Sequence, residues 1–185
     1  LSGRVEIGYL LGKRTYIGVM ASPLGVGSHG RLDRDVDFAG KHFPVDTQVD
    51  GTFRFDSYRL TWRYKFSPWA SFDLWLGLTA KIRDAAISLE GGGLRAEKTN
   101  TGVVPLINFL AEWRIAPPWS LRLAGDALGV SQGRAEDVLF AVVRDIGAST
   151  KLFAGYRILE GGADNDEVYT FSLFHYLVAG VETRF

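Results

Sequence analysis

The sequence predicts an all-β fold, an eight-stranded antiparallel up-and-down sheet closed into a barrel, and three observations carry that expectation. Apolar and polar residues alternate with period two along most of the chain, the mark of strands with one apolar and one polar face. The predicted connections are short at one end and longer at the other, an asymmetry of membrane-spanning barrels. The chain is 46% hydrophobic, yet its longest uncharged stretch, Thr15 to Gly30, is broken by Gly18, Pro23, Gly25 and Gly27. A transmembrane helix needs about 20 mostly apolar residues, so strands are the predicted spanning elements.

The strands follow in order. In 2–12, Val5, Ile7 and Tyr9 oppose Arg4 and Glu6. In 50–66, Tyr58, Leu60, Trp62, Tyr64 and Phe66 oppose Arg59, Thr61, Arg63 and Lys65. In 71–88, Phe72, Leu74, Leu76, Leu78, Ala80 and Ile82 oppose Asp73, Trp75, Thr79, Lys81 and Arg83. In 102–116, Ile107, Phe109, Ala111, Trp113 and Ile115 oppose Asn108, Leu110, Glu112 and Arg114. Leu121 and Leu123 oppose Arg122 in 119–130. The next strand, 137–145, is apolar on both faces from Val138 to Val143, which leaves its register open. In 150–160, Leu152, Ala154, Tyr156 and Ile158 oppose Lys151 and Arg157. In 168–185, Leu177, Ala179, Val181, Thr183 and Phe185 oppose Gly180, Glu182 and Arg184.

Short connections are expected at 67–70, 117–118 and 145–149, and longer ones at 13–49, 89–101, 131–136 and 161–167. Residues 1–185 then form one barrel domain with a long first loop near 13–49 and both termini at the tight end. All five tryptophans fall within 62–75 and 113–119, beside tight turns. Trp and Tyr favour a membrane–water interface because an apolar ring carries a polar N–H or O–H. Trp62, Trp69, Trp113, Trp119 and Phe185 are therefore read as interfacial aromatics. A strand tilted by roughly 40° crosses an apolar band ~25 Å tall in about ten residues, which suits Tyr58 to Phe66 and Leu177 to Phe185.

Composition narrows the partners. The 21 basic and 21 acidic residues cancel, so no basic footprint for nucleic acid exists. Without cysteine there is neither a disulfide framework nor a thiolate zinc site, and no metal or cofactor is assigned.

Phe185, preceded by apolar residues at alternate positions, resembles the carboxyl-terminal signal of bacterial outer-membrane β-barrel proteins. The layout is similar to the small eight-stranded members, such as the transmembrane domain of outer-membrane protein A. Thr183 departs from the pattern, which usually has an aromatic there. The resemblance implies a monomer in the bacterial outer membrane, surrounded by lipid and lipopolysaccharide. It also implies that the barrel-assembly machinery reads the last strand. The chain starts at Leu1 rather than Met, consistent with a removed signal peptide.

An eight-stranded interior is filled by side chains or holds one small ligand. The inward positions include Arg59, Arg63, Lys65, Asp73, Lys81 and Arg83 from the second and third strands. Glu112, Arg114, Arg122, Asp126, Lys151, Arg157, Glu182 and Arg184 come from the later ones. Buried charges persist only when paired and hydrogen-bonded, so a salt-bridge network is expected to plug the lumen near the tight turns; a narrow anion-preferring pore is the alternative. Leu106, Leu110, Leu159, Phe174 and Tyr176 point inward nearer the longer loops and form a cup, either packing or a site for an apolar ligand.

The leading functional expectation is a non-enzymatic structural or ligand-binding barrel with a plugged lumen. One alternative is passage of small apolar molecules through the mouth, as in barrels resembling the outer-membrane protein W group, with Pro105 interrupting a ladder bond. Another is a lipid-modifying enzyme using His29 and His42 of the first connection, and a soluble lipid-binding barrel is the non-membrane alternative. Ser172 and His175 are three apart on a strand and face opposite ways, so they form no nucleophile–base pair. Glu160, Asp164, Asp166 and Glu167 make the last loop acidic, a solvated loop or a divalent-cation contact.

Overall fold

A computed structural model describes residues 2–130, 133–165 and 168–185, with side chains described except at 68, 130, 133–134, 162–165 and 168–171. The chain is all-β. β1 (Val5–Leu11) turns through Gly12 into β2 (Thr15–Ser22), and Pro23 separates β2 from β3 (Gly25–Arg31). A small hairpin follows, β4 (Val36–Phe38) with β5 (Lys41–Phe43). Then come β6 (Gln48–Trp69), β7 (Phe72–Gly91), β8 (Leu94–Ala116) and β9 (Trp119–Val130). β10 (Gly133–Ile146), β11 (Thr150–Asn165) and β12 (Val168–Thr183) complete the series. The main sheet is ordered β1-β2-β6-β7-β8-β9-β10-β11-β12, with β3 also on β6.

All eight predicted strands recur, but the path holds nine, because the expected first loop contains a strand. β2 and β3 lie on β6 in one register. Gly25 pairs with Arg54, Phe55 N–H donates to the Leu24 carbonyl at 2.7 Å, and Lys65 N–H donates to the Arg14 carbonyl at 2.8 Å. Proline lacks a ladder donor, so Pro23 interrupts the strand without shifting its pairing. The segment hid in the sequence because Ile17 and Val19 on its exposed side face Tyr16, Gly18 and Met20 on the other, giving no polar–apolar contrast.

Two other expectations change. Strand directions alternate along the path, so β1 begins at the end opposite to the one where β12 finishes, not beside it. The predicted longer connections at 89–101, 131–136 and 161–167 shrink, because strands run to Gly91, Val130 and Asn165 and start again at Leu94, Gly133 and Val168. These connections are no longer than those at the other end. Gly92 and Gly93 have φ of 60° and 77°, and β7 and β8 continue up to them. Positive φ at both central residues is what a two-residue hairpin turn of matching twist requires. Of the last, acidic loop, Asp166, Glu167 and the Asp164 side chain lie outside the described residues.

Contacts divide the chain into two compact units. The first comprises Leu1–Ile7, Gly18–Leu60 and Ala80–Val104. Its core is small and of ordinary polarity: Phe43, Val49 and Ala96 are buried, with Leu32, Val36, Phe38, Leu89 and Leu94 against them. Leu32 N–H to the Thr47 carbonyl (3.0 Å) and Asp46 N–H to the Leu32 carbonyl (2.9 Å) close the segment that delivers Phe43. The second unit comprises Gly8–Ile17, Thr61–Thr79 and Pro105–Phe185. Unbroken antiparallel ladders join β9 to β10, β10 to β11 and β11 to β12 in it.

Gly77 marks a close strand approach within the second unit. A Cβ there would lie 1.9 Å from the Trp62 carbonyl oxygen and 2.5 Å from Arg63 Cα. Gly77→Ala should cost about 1–3 kcal/mol, the usual range for overpacking, whereas Gly27→Ala, with nothing within 4 Å of its Cβ, should change little. Urea unfolding midpoints in detergent check this; equal midpoints would contradict it.

Candidate functional site

Burial follows the period-two pattern with its usual polarity reversed. On β6, Tyr58, Leu60, Trp62 and Phe66 are exposed while Ser57, Arg59 and Thr61 are buried. On β7, Leu76, Leu78 and Ile82 are exposed while Thr79 and Lys81 are buried. On β8, Ile107, Trp113 and Ile115 are exposed while Asn108 and Glu112 are buried. β12 leaves Leu173, Leu177 and Val181 exposed. Soluble proteins almost never bury Lys, Arg, Asp or Glu unless paired, so the buried charged face is the candidate site.

Its centre is Glu112, only 5% exposed. Arg122 stands directly opposite on β9 and donates from Nε (2.9 Å) and Nη2 (2.6 Å) to Glu112 Oε2. The same Nη2 reaches Glu182 Oε2 at 2.9 Å, and Lys151 Nζ donates to Glu112 Oε1. Lys151 is itself opposite Glu182 in the β11–β12 ladder. These charges come from β8, β9, β11 and β12, and β10 lies between. At this level β10 presents Ala141, paired with Gly155 of β11. Two small residues leave room for the long Arg and Lys side chains to converge on one carboxylate. Arg184, at 3.8 Å from Glu182, extends the group towards the chain end.

A second group lies near the turn at 70–71, which replaces the expected 67–70 connection. Asp73 is held by Lys65 Nζ (3.0 Å), Arg114 Nη1 (3.0 Å) and Ser67 Oγ (2.9 Å). A third crosses the sheet above Glu112. Asp126 accepts from Thr79 Oγ1 at 2.6 Å and Asn108 Nδ2 at 2.8 Å, and Thr79 meets Thr61 at 2.9 Å. Asp126 is directly opposite Asp137, which forms an ion pair with Arg157 at 3.1 Å. Like charges opposite one another are destabilising, and each carboxylate here is offset by donors or a cation of its own.

The expected network thus resolves into groups. Glu112, Arg122, Lys151, Glu182 and Arg184 come together, as do Lys65, Asp73 and Arg114. Arg63 stacks over the Tyr16 ring at 4.0 Å, Lys81 over Phe55 at 5.0 Å, and Arg59 Nε donates to Ser57 Oγ at 3.2 Å. Asp137 escaped the sequence reading because β10 is apolar on both faces around it. Once Leu139, Ala141 and Val143 are buried, period two places Asp137 beside them. Of the expected cup, Leu106 and Leu159 are buried, and Leu110, Phe174 and Tyr176 are half-buried on that same face. Trp62, Trp69, Trp113, Trp119 and Phe185 are all exposed.

The histidines are engaged elsewhere. Gln48 Nε2 donates to His29 Nε2 at 2.8 Å, and His29 Nδ1 meets Asp50 Oδ1 at 2.6 Å. His42 Nδ1 pairs with Asp37 Oδ1 at 2.8 Å. The two histidines share no partner in these contacts. His175, exposed on β12, meets the Tyr156 hydroxyl through Nδ1 at 2.8 Å. Among the described residues, no three His, Asp or Glu side chains are grouped to hold a metal ion.

No known family profile matches the chain, and no curated protein matches its sequence.

Two predictions follow from these pairs. Glu112→Ala removes the one carboxylate shared by Arg122 and Lys151, leaving them only Glu182 and Asp145, and should cost about 3–5 kcal/mol, the usual penalty for breaking a buried ion pair from one side. Glu112→Leu with Lys151→Met should recover part of that loss in the same unfolding assay. The hydrogen bond to Asp37 raises the His42 pKa above its ordinary 6.5. Its stabilisation is therefore fully present below 6.5 and fades as pH rises through the higher folded value. NMR titration should give a His42 midpoint above 6.5, returning towards 6.5 in Asp37→Asn; identical midpoints would contradict the pairing.

Proposed function

We propose that the protein is an integral β-barrel of the bacterial outer membrane, non-enzymatic, with a charged plug in its lumen and a structural or ligand-binding role. The observation that carries this reading is the reversed polarity of the sheet. A water-soluble protein rarely exposes a large contiguous apolar surface, whereas a lipid-facing sheet requires one. Lipid tolerates only structures that pair their own N–H and C=O groups, a condition that every strand between the two edges of the sheet meets.

The limits of the apolar belt support the same setting. On β6 it runs from Tyr58 to Phe66, long enough at about 3.3 Å per residue and roughly 40° tilt to cross most of a ~25 Å band. Immediately beyond Tyr58 and Ile82 the exposed face turns ionic. Arg54 Nη1 bridges Asp56 Oδ2 at 2.9 Å and Asp84 Oδ2 at 2.8 Å. The Arg54 guanidinium holds the Asp84 carboxyl below its usual range, so the band stays charged at the pH of a membrane surface. Lipid and lipopolysaccharide are the proposed neighbours, and the barrel-assembly machinery the proposed reader of β12 and Phe185. The protein acts as a monomer in this reading.

One observation favours a second reading, passage of small apolar molecules through the mouth. The β8–β9 ladder ends at the pair Ile107–Ala127, next to Leu106 of the cup and Pro105, which has no N–H to continue it. A narrow interruption beside an apolar cup would give a molecule such as a fatty acid a sideways exit. The lipid-modifying alternative has no comparable observation behind it: His29 pairs with Asp50 and Gln48, and His42 with Asp37.

Phase separation with a clouding detergent tests the membrane setting: the protein should enter the detergent phase and resist carbonate extraction. A stable monomer in the aqueous phase would refute it. In planar bilayers the wild type should show no steady conductance, and a steady open channel would refute the plug. An elongated ligand in experimental density near Leu110, Phe174 and Tyr176 would move the balance to passage.

A further inference from the structure

The strand order leaves two edges, β1 and β12, and their directions decide what can join them. Nine strands of alternating direction begin and end running the same way. Pairing β1 with β12 would therefore create a parallel ladder in an otherwise antiparallel sheet. β1 is exposed at every position from Val5 to Leu11, including Tyr9 at 70%, and Leu177 of β12 is exposed at 84%, against 62% for Leu78 inside the sheet. Both edges carry the apolar belt outward without a neighbour among the described residues.

On the membrane reading proposed above, on which this inference rests, such edges cannot remain open, since hydrocarbon offers unpaired N–H and C=O groups no water. A second copy cannot close them. Inserted in the same orientation, its own β1 and β12 run in that same direction.

We propose that one further strand of this polypeptide, antiparallel to both edges and apolar at alternate positions, lies between β1 and β12. It makes ten strands, the even number that antiparallel closure needs. A strand running opposite to β1 finishes where β1 starts, so a hairpin is the shortest connection, as between each consecutive pair from β6 to β12. Strand direction alone sets this requirement, wherever the numbering begins.

Residues 1–185 contain no cysteine, so introduced pairs are tested in the full-length protein, any cysteine outside these residues replaced by Ser, in membranes of expressing cells. Tyr9→Cys is combined, one pair at a time, with Leu177→Cys, Ala179→Cys or Val181→Cys, all on the exposed face. Directly paired strands hold opposed Cα atoms about 4.5–5.5 Å apart, within disulfide range. One intervening strand separates them by about 9.6 Å. The expected result is no disulfide under oxidation in any pair, and linkage of at least one pair by a bismaleimide of matching span within a single polypeptide. A disulfide in any pair overturns the proposal, and so does the absence of both products. A bismaleimide product that requires a separate second chain overturns it as well. Leu123→Cys with Phe140→Cys, directly opposed on β9 and β10, must oxidise and so certifies a folded sheet. Detergent partitioning of the same samples reports separately on the membrane setting.

Discussion

Glu112 is the group on which the buried face depends. Arg122 and Lys151 approach it from β9 and β11, and the small Ala141 and Gly155, level with Arg122 in the ladders, leave its side chain room to reach across. Charges taken out of water stay ionised only where partners replace the lost hydration. That condition also fixes register. Sliding any strand by one residue would turn its charges onto the exposed face and its Trp, Leu and Phe residues onto the buried one. Ion pairs on one face and apolar stripes on the other therefore enforce the same alignment, from opposite sides of the sheet.

Two kinds of packing coexist in the chain. In the first, Phe43, Val49 and Ala96 form a core of the kind any soluble domain has. In the second, the buried face holds Glu112, Arg122, Asp126, Asp137 and Arg157, while Leu76, Trp113 and Phe140 are exposed. Hydrophobic burial cannot drive the second arrangement in water. The proposed membrane setting removes the difficulty, because lipid supplies the apolar neighbour and ladder pairing satisfies the backbone.

Much of the fold was legible because polarity alternates where a strand has a charged face. The stretch Tyr58 to Phe66 and the stretch Ile107 to Ile115 were readable for that reason, although Tyr64 is half-buried on the apolar side and Arg114 exposed on the polar one. β2 and β3 were not, since Ile17 and Val19 alternate with Tyr16, Gly18 and Met20, and Pro23 mimics a loop. The halves of β7 and β8 beside their turn alternate only briefly, as Ile87-Ser88-Leu89-Glu90 and Leu94-Arg95-Ala96-Glu97, and the Gly91-Gly92-Gly93 run between them reads as a loop. Of the charged face, the Glu112–Arg122 pair could be anticipated from inward periodicity on facing strands. Asp137 could not, because Val138 to Val143 give no contrast to set its face. Asn108, Thr79 and Thr61 fall on the predicted polar faces, but carry no charge to mark them as the donors and hydroxyl contact around Asp126.

The central claim is that one face of the sheet meets lipid while the other is closed to both lipid and bulk water. Spin labels placed singly at each position from 74 to 82 of β7, in the reconstituted protein, measure this directly by power saturation with oxygen and with a water-soluble nickel chelate. Labels at Leu76, Leu78 and Ala80 should be accessible to oxygen and shielded from nickel, and those at Thr79 and Lys81 shielded from oxygen, with a period of two. Nickel access at Leu76 and Leu78 equal to that of a label in free solution would contradict the claim.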